Sequence, residues 1–186
     1  MDTHAPNLSP AQPPELVIHG RDEIEELLTR REARVTEHFR TPIACGLARK
    51  DFNFLSRKMF LRSLKDGDFV KQCYRLIDEF AAEVTMLSYA VEHLNQWKDG
   101  PLWGLRVDLR VTGPISSRML IQIRRLDRAA SILYSAQIFG GVVTAQERLD
   151  HLRPAISAFR GLNRLCGGQK DPRKIADAAS RLDLAE

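Results

Sequence analysis

Arginine side chains suited to phosphate or base contacts are concentrated in one part of the sequence. All six basic residues between positions 101 and 128 are arginines, and two of them, Arg106 and Arg110, lie in the stretch LRVDLRV (105–111). The planar guanidinium group forms paired hydrogen bonds with phosphates and with base edges. The cluster therefore predicts contact with nucleic acid, and a solvated charged face is the alternative interpretation.

The distribution of charge along the chain points to the same region. Residues 1–100 contain 14 Lys and Arg against 16 Asp and Glu, whereas residues 101–186 contain 14 against 8. The first part therefore carries a net charge of −2 and the second +6, in a chain of 186 residues with a net charge of +4. A basic region of this kind attracts double-stranded DNA, which is the partner that the sequence predicts.

Arrangements of side chains for catalysis or metal binding are not evident in the sequence. The five histidines fall in different predicted elements without metal-ligand spacing, and there is no Cys-x-x-Cys pair, phosphate-binding glycine loop or nucleophile elbow. Cys45 is a single cysteine in a predicted turn, which is typical of a packed thiol. We therefore expect that the protein is not an enzyme and has no cofactor, metal or small-molecule ligand.

The apolar runs and the cysteines indicate a cellular compartment. The longest apolar runs are only a few residues, and the N-terminus lacks the basic and apolar regions of a secretory signal. The three cysteines are odd in number and far apart, which is typical of a reducing cytosol rather than of a disulfide framework. The sequence predicts a cytoplasmic protein without membrane contact.

The stretch 105–111 alternates apolar and polar side chains, which is the period of a strand with one apolar and one charged face. A lone strand leaves backbone N–H and C=O groups unpaired on both edges, so it needs a partner. The candidates are residues 16–19 and the same strand of a second subunit. The apolar residues predicted to lie in the core or the dimer contact are Leu105, Val107, Leu109 and Val111.

The predicted order of strand 105–112, helix 114–139 and helix 144–165 is that of a ribbon-helix-helix protein. The sequence TAQE (144–147) has the form of a capping box, so the second helix begins there, and Pro154 should kink or split it. In this arrangement an antiparallel ribbon enters the major groove, and the N-terminus of the second helix faces a phosphate. The predicted base contacts are Arg106, Asp108, Arg110 and Thr112. The predicted phosphate contacts are Ser116, Ser117, Arg118, Arg124, Thr144, Ala145 and Gln146.

Most of the remaining sequence has helical spacing, so the predicted fold class is mainly α with one short β-strand. Residues 1–14, which include four prolines, predict a disordered tail. A helical region is expected over 15–100, the DNA-binding ribbon-helix-helix unit over 101–166, and a tail or short helix over 167–186.

Three helices are predicted within the first 100 residues, over 21–40, 51–67 and about 68–98. The longest has apolar residues at steps of three and four, which trace one stripe along a single helix. The stripe consists of Phe69, Cys73, Leu76, Phe80, Val84, Leu87, Val91 and Leu94. It packs on another helix, either within the chain as part of the core or across a dimer as a coiled coil.

Residues 40–165 resemble the AcaB family, a group of regulators and related proteins carried by conjugative plasmids and integrative conjugative elements. The stretches PIACGLARKDFNFLSRKMFLRSLKDGDFVKQCYRLIDEF and RVDLRVTGPISSRMLIQIRRLDRAASILYSAQIFGGVVTAQE carry the resemblance, which includes the acid at Asp127. The family's turn contains Asn-Pro and an aromatic residue, whereas this sequence has TGPIS. The resemblance implies a homodimeric ribbon-helix-helix DNA-binding regulator. The alternative is a helical interaction protein of a mobile element, which binds another protein through its long helix or basic face.

Overall fold

The structure, a computed structural model, describes residues 21–98 and 103–167. The main elements in chain order are α1 (Arg21–Arg31), β1 (Ala33–Phe39), α2 (Pro42–Leu47), α3 (Asn53–Ser63), α4 (Gly67–Ala90), β2 (Leu105–Val111), α5 (Pro114–Ser135) and α6 (Ala145–Gly167). The shorter ones are a π-helical turn between α2 and α3 (Ala48–Phe52), a 3-10 helix after α4 (Glu92–Trp97) and a π-helical turn after α5 (Ala136–Gly140). The protein is therefore mainly helical with a small two-stranded antiparallel sheet, which confirms the mainly α class and adds a second strand.

Strand β1 corrects the prediction of one helix over 21–40, because helix α1 ends at Arg31. Val35 and Phe39 fit a helical stripe, but residues four apart also lie on the same face of a strand. Spacing alone therefore could not distinguish the two structures at these positions. The β-branched side chains of Val35 and Thr36 favour the strand once a partner strand is available.

The partner of β2 in the structure is β1 of the same chain. The two strands are antiparallel, and their register places Ala33 opposite Val111 and Phe39 opposite Leu105. The expected pairing of β2 with the same strand of a second subunit is therefore replaced by pairing within the chain. The other predicted partner, residues 16–19, lies outside the described residues. The predicted tail over 1–14 also lies outside them, as does the predicted tail or short helix over 167–186 apart from Gly167, which ends α6.

A buried carboxylate on α5 holds the chain where β1 leads into α2. Asp127 accepts hydrogen bonds from the backbone N–H of Arg40 at 2.9 Å, the backbone N–H of Thr41 at 2.9 Å and the Thr41 hydroxyl at 2.7 Å. The Thr41 oxygen also accepts from the N–H of Ala44 and so caps α2. Three hydrogen-bond donors compensate the burial of the Asp127 carboxylate, and they attach the end of β1 to α5. Strands β1 and β2 together form the two-stranded ribbon of this protein.

The apolar stripe of the long helix packs on α6 within the same chain. The rings of Phe80 on α4 and Phe159 on α6 meet edge to face, with centroids 5.5 Å apart. The α-helical part of the predicted helix over 68–98 ends at Ala90, and the 3-10 helix continues from Glu92. The stripe is close to the predicted one, with Ile77 fully buried where Leu76 was expected. Its packing in the structure is thus the intramolecular alternative.

Helix α6 begins as the capping-box sequence predicts. The Thr144 hydroxyl oxygen accepts from the N–H of Glu147 at 3.2 Å, and the Glu147 carboxylate accepts from the N–H and hydroxyl of Thr144, both at 2.8 Å. The helix then runs without a break through Pro154, so the predicted splitting there does not occur.

One hydrophobic core contains residues from both sides of the predicted boundary at 100/101. Its largest fully buried side chains include Phe52, Phe69 and Phe80 from the first part and Leu109 and Phe159 from the second. The elements that position the ribbon therefore share their core with α4 and α6. No helix among residues 21–98 and 103–167 is long and apolar enough to cross a membrane.

Candidate nucleic-acid interface

The outer face of the two-stranded ribbon carries three cross-strand pairs of polar side chains, all of them exposed. The register pairs Arg34 with Arg110, Thr36 with Asp108 and His38 with Arg106. Because side chains alternate across a strand, these six side chains project from the same surface of the ribbon. The charged face that the sequence predicts for β2 is therefore extended by a second polar row from β1.

The inner face of the ribbon is apolar and packs into the protein. Val107 and Leu109 are buried, Leu105 and Val111 are half-buried, and Phe39 of β1 is buried beside them. This burial confirms which face of 105–111 turns toward the core. The predicted role of these residues in a dimer contact is not needed for their burial, since α2 and α3 of the same chain pack against β2.

Charges at one end of the outer face are of the same sign on facing strands. Arg34 and Arg110 lie opposite each other, which destabilises a ribbon because like charges repel at this distance. The Glu32 carboxylate lies between them, 3.3 Å from Arg34 Nε and 3.6 Å from Arg110 Nε. One carboxylate therefore pairs with two guanidinium groups, and within residues 21–98 and 103–167 this group of three side chains has a net positive charge.

The remaining outer residues form a polar network that includes one acid. The Thr36 hydroxyl donates to Asp108 Oδ1 at 2.7 Å, and Arg106 approaches the same carboxylate at 3.7 Å. Both charged partners are largely exposed, so this ion pair contributes little to stability. The face presents hydrogen-bond donors and acceptors side by side, which is the requirement for contact with base edges.

The edge of β2 that faces away from β1 is occupied by a side chain. Asn53, the first residue of α3, accepts from the backbone N–H of Arg110 at 2.8 Å and donates to the backbone oxygen of Asp108 at 3.4 Å. These backbone groups are the ones that a further strand would bond. Asn53 therefore closes this part of the edge against a strand from a second subunit.

Thr112 and Ser116 are buried, which corrects their predicted roles as base and phosphate contacts. The Thr112 hydroxyl donates to the backbone oxygen of Ser56 at 2.8 Å. The Ser116 hydroxyl oxygen accepts from the N–H groups of Thr112 at 3.1 Å and Gly113 at 3.2 Å. Both side chains fasten the end of β2 to α3 and to the start of α5, and neither reaches the surface.

Arg124 is committed to an ion pair beneath the ribbon. Its guanidinium makes two hydrogen bonds to the Glu37 carboxylate on the inner face of β1, one of them 3.0 Å from Nε. These hydrogen bonds raise the pKa of Arg124 above its usual value. The predicted phosphate contact would have to compete with Glu37, which is largely buried and would lose its partner.

Arg118 and Ser117, in the first turns of α5, are exposed. The Arg118 guanidinium lies 2.7 Å from the Asp78 carboxylate of α4, and both groups are about half exposed. Such a surface pair exchanges partners at little cost. Both residues thus remain available at the helix N-terminus that follows the ribbon, where the helix dipole favours an anion.

The N-terminus of α6 is exposed but already carries an acid. Thr144, Ala145 and Gln146 are on the surface, as predicted for phosphate contacts. The two hydrogen bonds from Thr144 lower the pKa of Glu147 below its ordinary value, and the Gln146 amide donates to Asp150. The carboxylates of Glu147 and Asp150 would repel a phosphate, so this end of the molecule is poorly suited to DNA.

Strand β1 contributes three side chains to the candidate interface that the sequence pattern did not predict. Arg34, Thr36 and His38 belong to the stretch ARVTEHF, whose alternation of polar and apolar residues resembles that of 105–111 once both are compared as strands. A cleft of about 580 Å³ also opens beside the Arg34 and Arg110 end of the ribbon, between α1 and α3. Its lining residues include Glu25, Glu32, Asn53, Phe54 and Arg57.

The fold and the site define a class: a mainly helical protein that presents an intramolecular, two-stranded antiparallel ribbon with an arginine-rich outer face. Among solved structures the chain is similar to the selenomethionine-containing AcaB from uropathogenic E. coli, at 20% sequence identity over 73% of this chain and 76% of that chain, with a TM-score of 0.50. This likeness is one of fold. No family model and no curated protein matches the chain.

Proposed function

We propose that this protein is a non-enzymatic, sequence-specific DNA-binding regulator of a mobile genetic element, whose ribbon enters the major groove. The observation that carries the proposal is the outer face of the ribbon, where six exposed polar side chains, three of them arginines, stand in register on two strands. Two strands about 4.8 Å apart fit a groove about 12 Å wide. The fold shared with AcaB supports this class of function, since the family resemblance of residues 40–165 implies it.

The proposed base contacts are the outer-face residues of both strands. Arg106, Arg110 and Arg34 would donate pairs of hydrogen bonds to guanine O6 and N7, because the guanidinium group matches these two acceptors. Asp108 would accept from the amino group of cytosine or adenine. Its carboxylate would also disfavour sequences that place an acceptor at the same point, and so adds discrimination as well as contact.

The proposed phosphate contacts lie where α5 follows the ribbon. Ser117 and Arg118 are exposed there and lie in the first turns of the helix, so the phosphate would meet a hydroxyl, a guanidinium and the positive end of the helix dipole. Arg118 would exchange Asp78 for the phosphate. These contacts would fix the orientation of the ribbon without selecting a sequence.

We further propose that the protein binds as a homodimer in the cytoplasm. In a ribbon-helix-helix dimer the two subunits share one ribbon, whereas here each chain contains its own and Asn53 occupies the β2 edge. The dimer contact would therefore use another surface, and each subunit would bring a complete ribbon to a separate half-site. A ratio of two chains to one duplex in sedimentation experiments would support this arrangement, and a ratio of one to one would contradict it.

The test of base contact compares variants on two DNA sequences. With DNA from upstream of the protein's own gene, Arg106→Ala and Arg110→Ala should each lose about 1–3 kcal/mol of binding free energy on the specific site and little on random DNA. Arg118→Ala should weaken both equally and reduce the salt dependence of binding. The matched control is Arg75→Ala, an exposed arginine on α4 that pairs with Glu79 outside the ribbon.

The result decides between sequence-specific and general binding. Fluorescence anisotropy at several salt concentrations gives the affinities and the salt slope. Equal losses for Arg106→Ala on the two DNA sequences would leave only a basic patch. An unchanged affinity for both ribbon variants would place the DNA elsewhere on the protein and reject the proposal.

The second candidate function is a helical protein that binds another protein of the same element. It is favoured by Met86 and Tyr89, which are 65% and 68% exposed and lie one turn apart on α4, since neighbouring exposed apolar side chains can form a contact surface for another protein. Met86→Ser with Tyr89→Ser should leave DNA binding unchanged. Loss of regulation in cells by this double variant, with DNA affinity intact, would favour the second function.

A further inference from the structure

Two of the three cysteines face each other across the packed helices α4 and α6. The rings of Phe80 and Phe159 define where these antiparallel helices touch. Cys73 lies seven residues before Phe80, and Cys166 lies seven residues after Phe159. Seven residues are two turns of a packed helix, so each cysteine lies on the same side of its helix as the phenylalanine. Because the helices are antiparallel, a step backward along α4 and a step forward along α6 lead in the same direction.

Cys73 and Cys166 therefore lie at the same level of the contact between α4 and α6, two turns from Phe80 and Phe159. Both side chains are buried, Cys73 fully and Cys166 with 6% of its surface exposed, and each thiol has the largest influence on the pKa of the other. The third cysteine, Cys45, is half-buried on α2 and belongs to another part of the fold. Two cysteines at the same level of one helix–helix contact are placed so that their sulfur atoms can approach to form a disulfide.

The charged groups beside the pair are Arg62 of α3 and Asp66, which form an ion pair with Arg62 Nη2 3.5 Å from Asp66 Oδ2. Arg62 stacks on the ring of Phe69, 3.9 Å from its centroid, and donates to the backbone oxygen of Leu165 at 3.2 Å. The interaction with Cys73 lowers the pKa of the Cys166 thiol, burial raises it, and the positive charges of Arg62 and Lys58 lower it. The interaction with Cys166 and burial raise the pKa of Cys73. Because Arg62 is bound to the backbone oxygen of Leu165, next to Cys166 in the chain, its charge favours the thiolate of Cys166.

We propose that Cys73 and Cys166 are a peroxide-reactive dithiol, with Cys166 as the attacking sulfur, Cys73 as the resolving sulfur and an intramolecular disulfide as the product. The proposal is independent of DNA binding. It assigns a modification site to a pair of residues that the ribbon does not use.

The reaction balances with hydrogen peroxide as the oxidant. The Cys166 thiolate attacks one peroxide oxygen, the S–O bond forms, the O–O bond breaks, and hydroxide leaves to become water by taking a proton. Cys73 sulfur then attacks the resulting sulfenic sulfur, the S–S bond forms, the S–O bond breaks, and a second water leaves with the Cys73 proton. Two electrons pass from the two sulfurs to the peroxide.

Access to the pair is through the end of α6. Cys166 lies in the last turn, one residue before the end of the helix at Gly167. Carbonyl groups in the last turn lack partners within the helix, so this turn opens more easily than the middle of α6. Peroxide is small enough to reach Cys166 in such an opening, whereas Cys73, which is fully buried, reacts afterwards with the sulfenic acid.

The first experiment counts free thiols in the full chain before and after exposure to peroxide. After alkylation under denaturing conditions, the reduced protein should carry three alkyl groups and the oxidised protein one, on Cys45, since the chain has three cysteines. Peptide mapping should show Cys73 joined to Cys166, and denaturing electrophoresis without reductant should show no chains linked to each other. Cys45→Ser, which leaves the pair intact, should be oxidised at the same rate.

The outcomes that overturn the proposal need no altered protein. Three alkylated cysteines after exposure to a peroxide dose that oxidises free thiols would show that the pair does not react. A disulfide between two chains, a bond that includes Cys45, or a sulfinic acid on Cys166 without a bond to Cys73 would equally reject it.

The second experiment tests the part played by Arg62. Arg62→Gln should lower the rate of disulfide formation at neutral pH by about three- to tenfold, because the fraction of thiolate changes tenfold for each unit of pKa. The pH at which the rate is half-maximal should rise. Arg75→Gln, on the same helix as Cys73 but paired with Glu79 in solvent, should change neither quantity.

Lys58→Gln provides a second variant in case Arg62→Gln does not fold. Lys58 is exposed, so its removal leaves the packing of α3 intact, and it should move the pH profile in the same direction by a smaller amount. An unchanged pH profile in a folded Arg62→Gln protein would assign Arg62 a structural role and remove the activation of Cys166 from the proposal.

Discussion

The ribbon and the packed helices α4 and α6 differ in how far their side chains find partners within the chain. Along α4 the stripe of buried residues is covered by α6, with Phe80 and Phe159 in direct contact. On the outer face of the ribbon, Arg34 and Arg110 stand opposite each other and share the single carboxylate of Glu32. The α4–α6 contact is complete within the chain, whereas the ribbon keeps positive charge that the other described residues do not neutralise.

The difference separates residues that stabilise the fold from residues that are available for binding. Apolar packing between α4 and α6 removes surface from water and is a favourable term in folding. Facing arginines on a two-stranded ribbon are unfavourable for folding, and the polar hydrogen bonds around Asp108 are exposed and contribute little. Arginines retained at such positions are accounted for by the binding that we propose for the outer face.

Substitution of neighbouring residues on the two faces of β2 should have opposite effects. Leu109→Ala should reduce the free energy of unfolding by about 2–5 kcal/mol, because it empties a fully buried position. Arg110→Ala should change it by about 0.5 kcal/mol or less, as is usual for an exposed residue, while DNA affinity falls. Urea denaturation measures the first quantity and fluorescence anisotropy the second.

Leu109→Arg is expected to have the largest effect of the substitutions in β2, because it places a charge at a buried position. A charge without a partner in the core should prevent folding, which circular dichroism would detect. If Leu109→Ala instead melts like the parent and Arg110→Ala unfolds the protein, the arginines are structural and the distinction between the two faces of the ribbon fails.

The ion pair between Arg124 and Glu37 joins an exposed position on α5 to the largely buried inner face of the ribbon. Arg124→Ala should reduce the free energy of unfolding by about 1 kcal/mol, since it leaves the largely buried Glu37 without its partner. Arg124→Ala combined with Glu37→Gln should lose less than the two single changes added together. Additive losses in this double-mutant cycle would mean that the pair does not couple β1 to α5.

The smallest expected effect is that of Glu147, at the start of α6. Its pKa is lowered from 4.5 by the hydrogen bonds from Thr144, so its contribution to stability is present above that ordinary value and is lost as the pH falls through the lower pKa of the folded protein. Glu147→Gln should therefore lower the melting temperature slightly at pH 7. The difference from the parent should shrink as the pH falls below about 4.5 and disappear in more acidic solution.

The Glu147→Gln variant also distinguishes the N-terminus of α6 from that of α5, which follows the ribbon. A difference between parent and Glu147→Gln that persists unchanged in acid would show that the carboxylate charge is not what stabilises the start of α6. If Glu147→Gln improves DNA binding, the start of α6 lies at the DNA interface. We expect no such improvement, because we propose that DNA binds at the ribbon and at the start of α5.

Several features of the candidate site depend only on neighbours in the sequence and were predictable from it. The alternation in 105–111 assigns Arg106 and Arg110 to one face and Leu109 to the other, whatever partner the strand has. The capping box formed by Thr144 and Glu147 is likewise local, because the donor and acceptor lie three residues apart.

Other features depend on residues that are distant in the sequence, and the sequence predictions failed or stayed open there. Thr112 continues the polar alternation of β2, yet it is buried because Ser56 of α3 supplies its hydrogen bonds. Arg124 lies on an exposed helical position, yet its guanidinium is held by Glu37 from a strand that the helical pattern of 21–40 concealed. Neither contact follows from a local period.

By itself the sequence determined the mainly helical class, the apolar stripe of α4 and the two faces of β2, because periods of 3.5 and 2 are properties of the backbone geometry of a single element. Only the tertiary structure decided that Val35 and Phe39 lie on a strand, that this strand pairs with β2, and that α6 covers the stripe. The spacing of four residues satisfies both a helix and a strand. The choice between them therefore rests on which partner element is present to bond the backbone and bury the side chains.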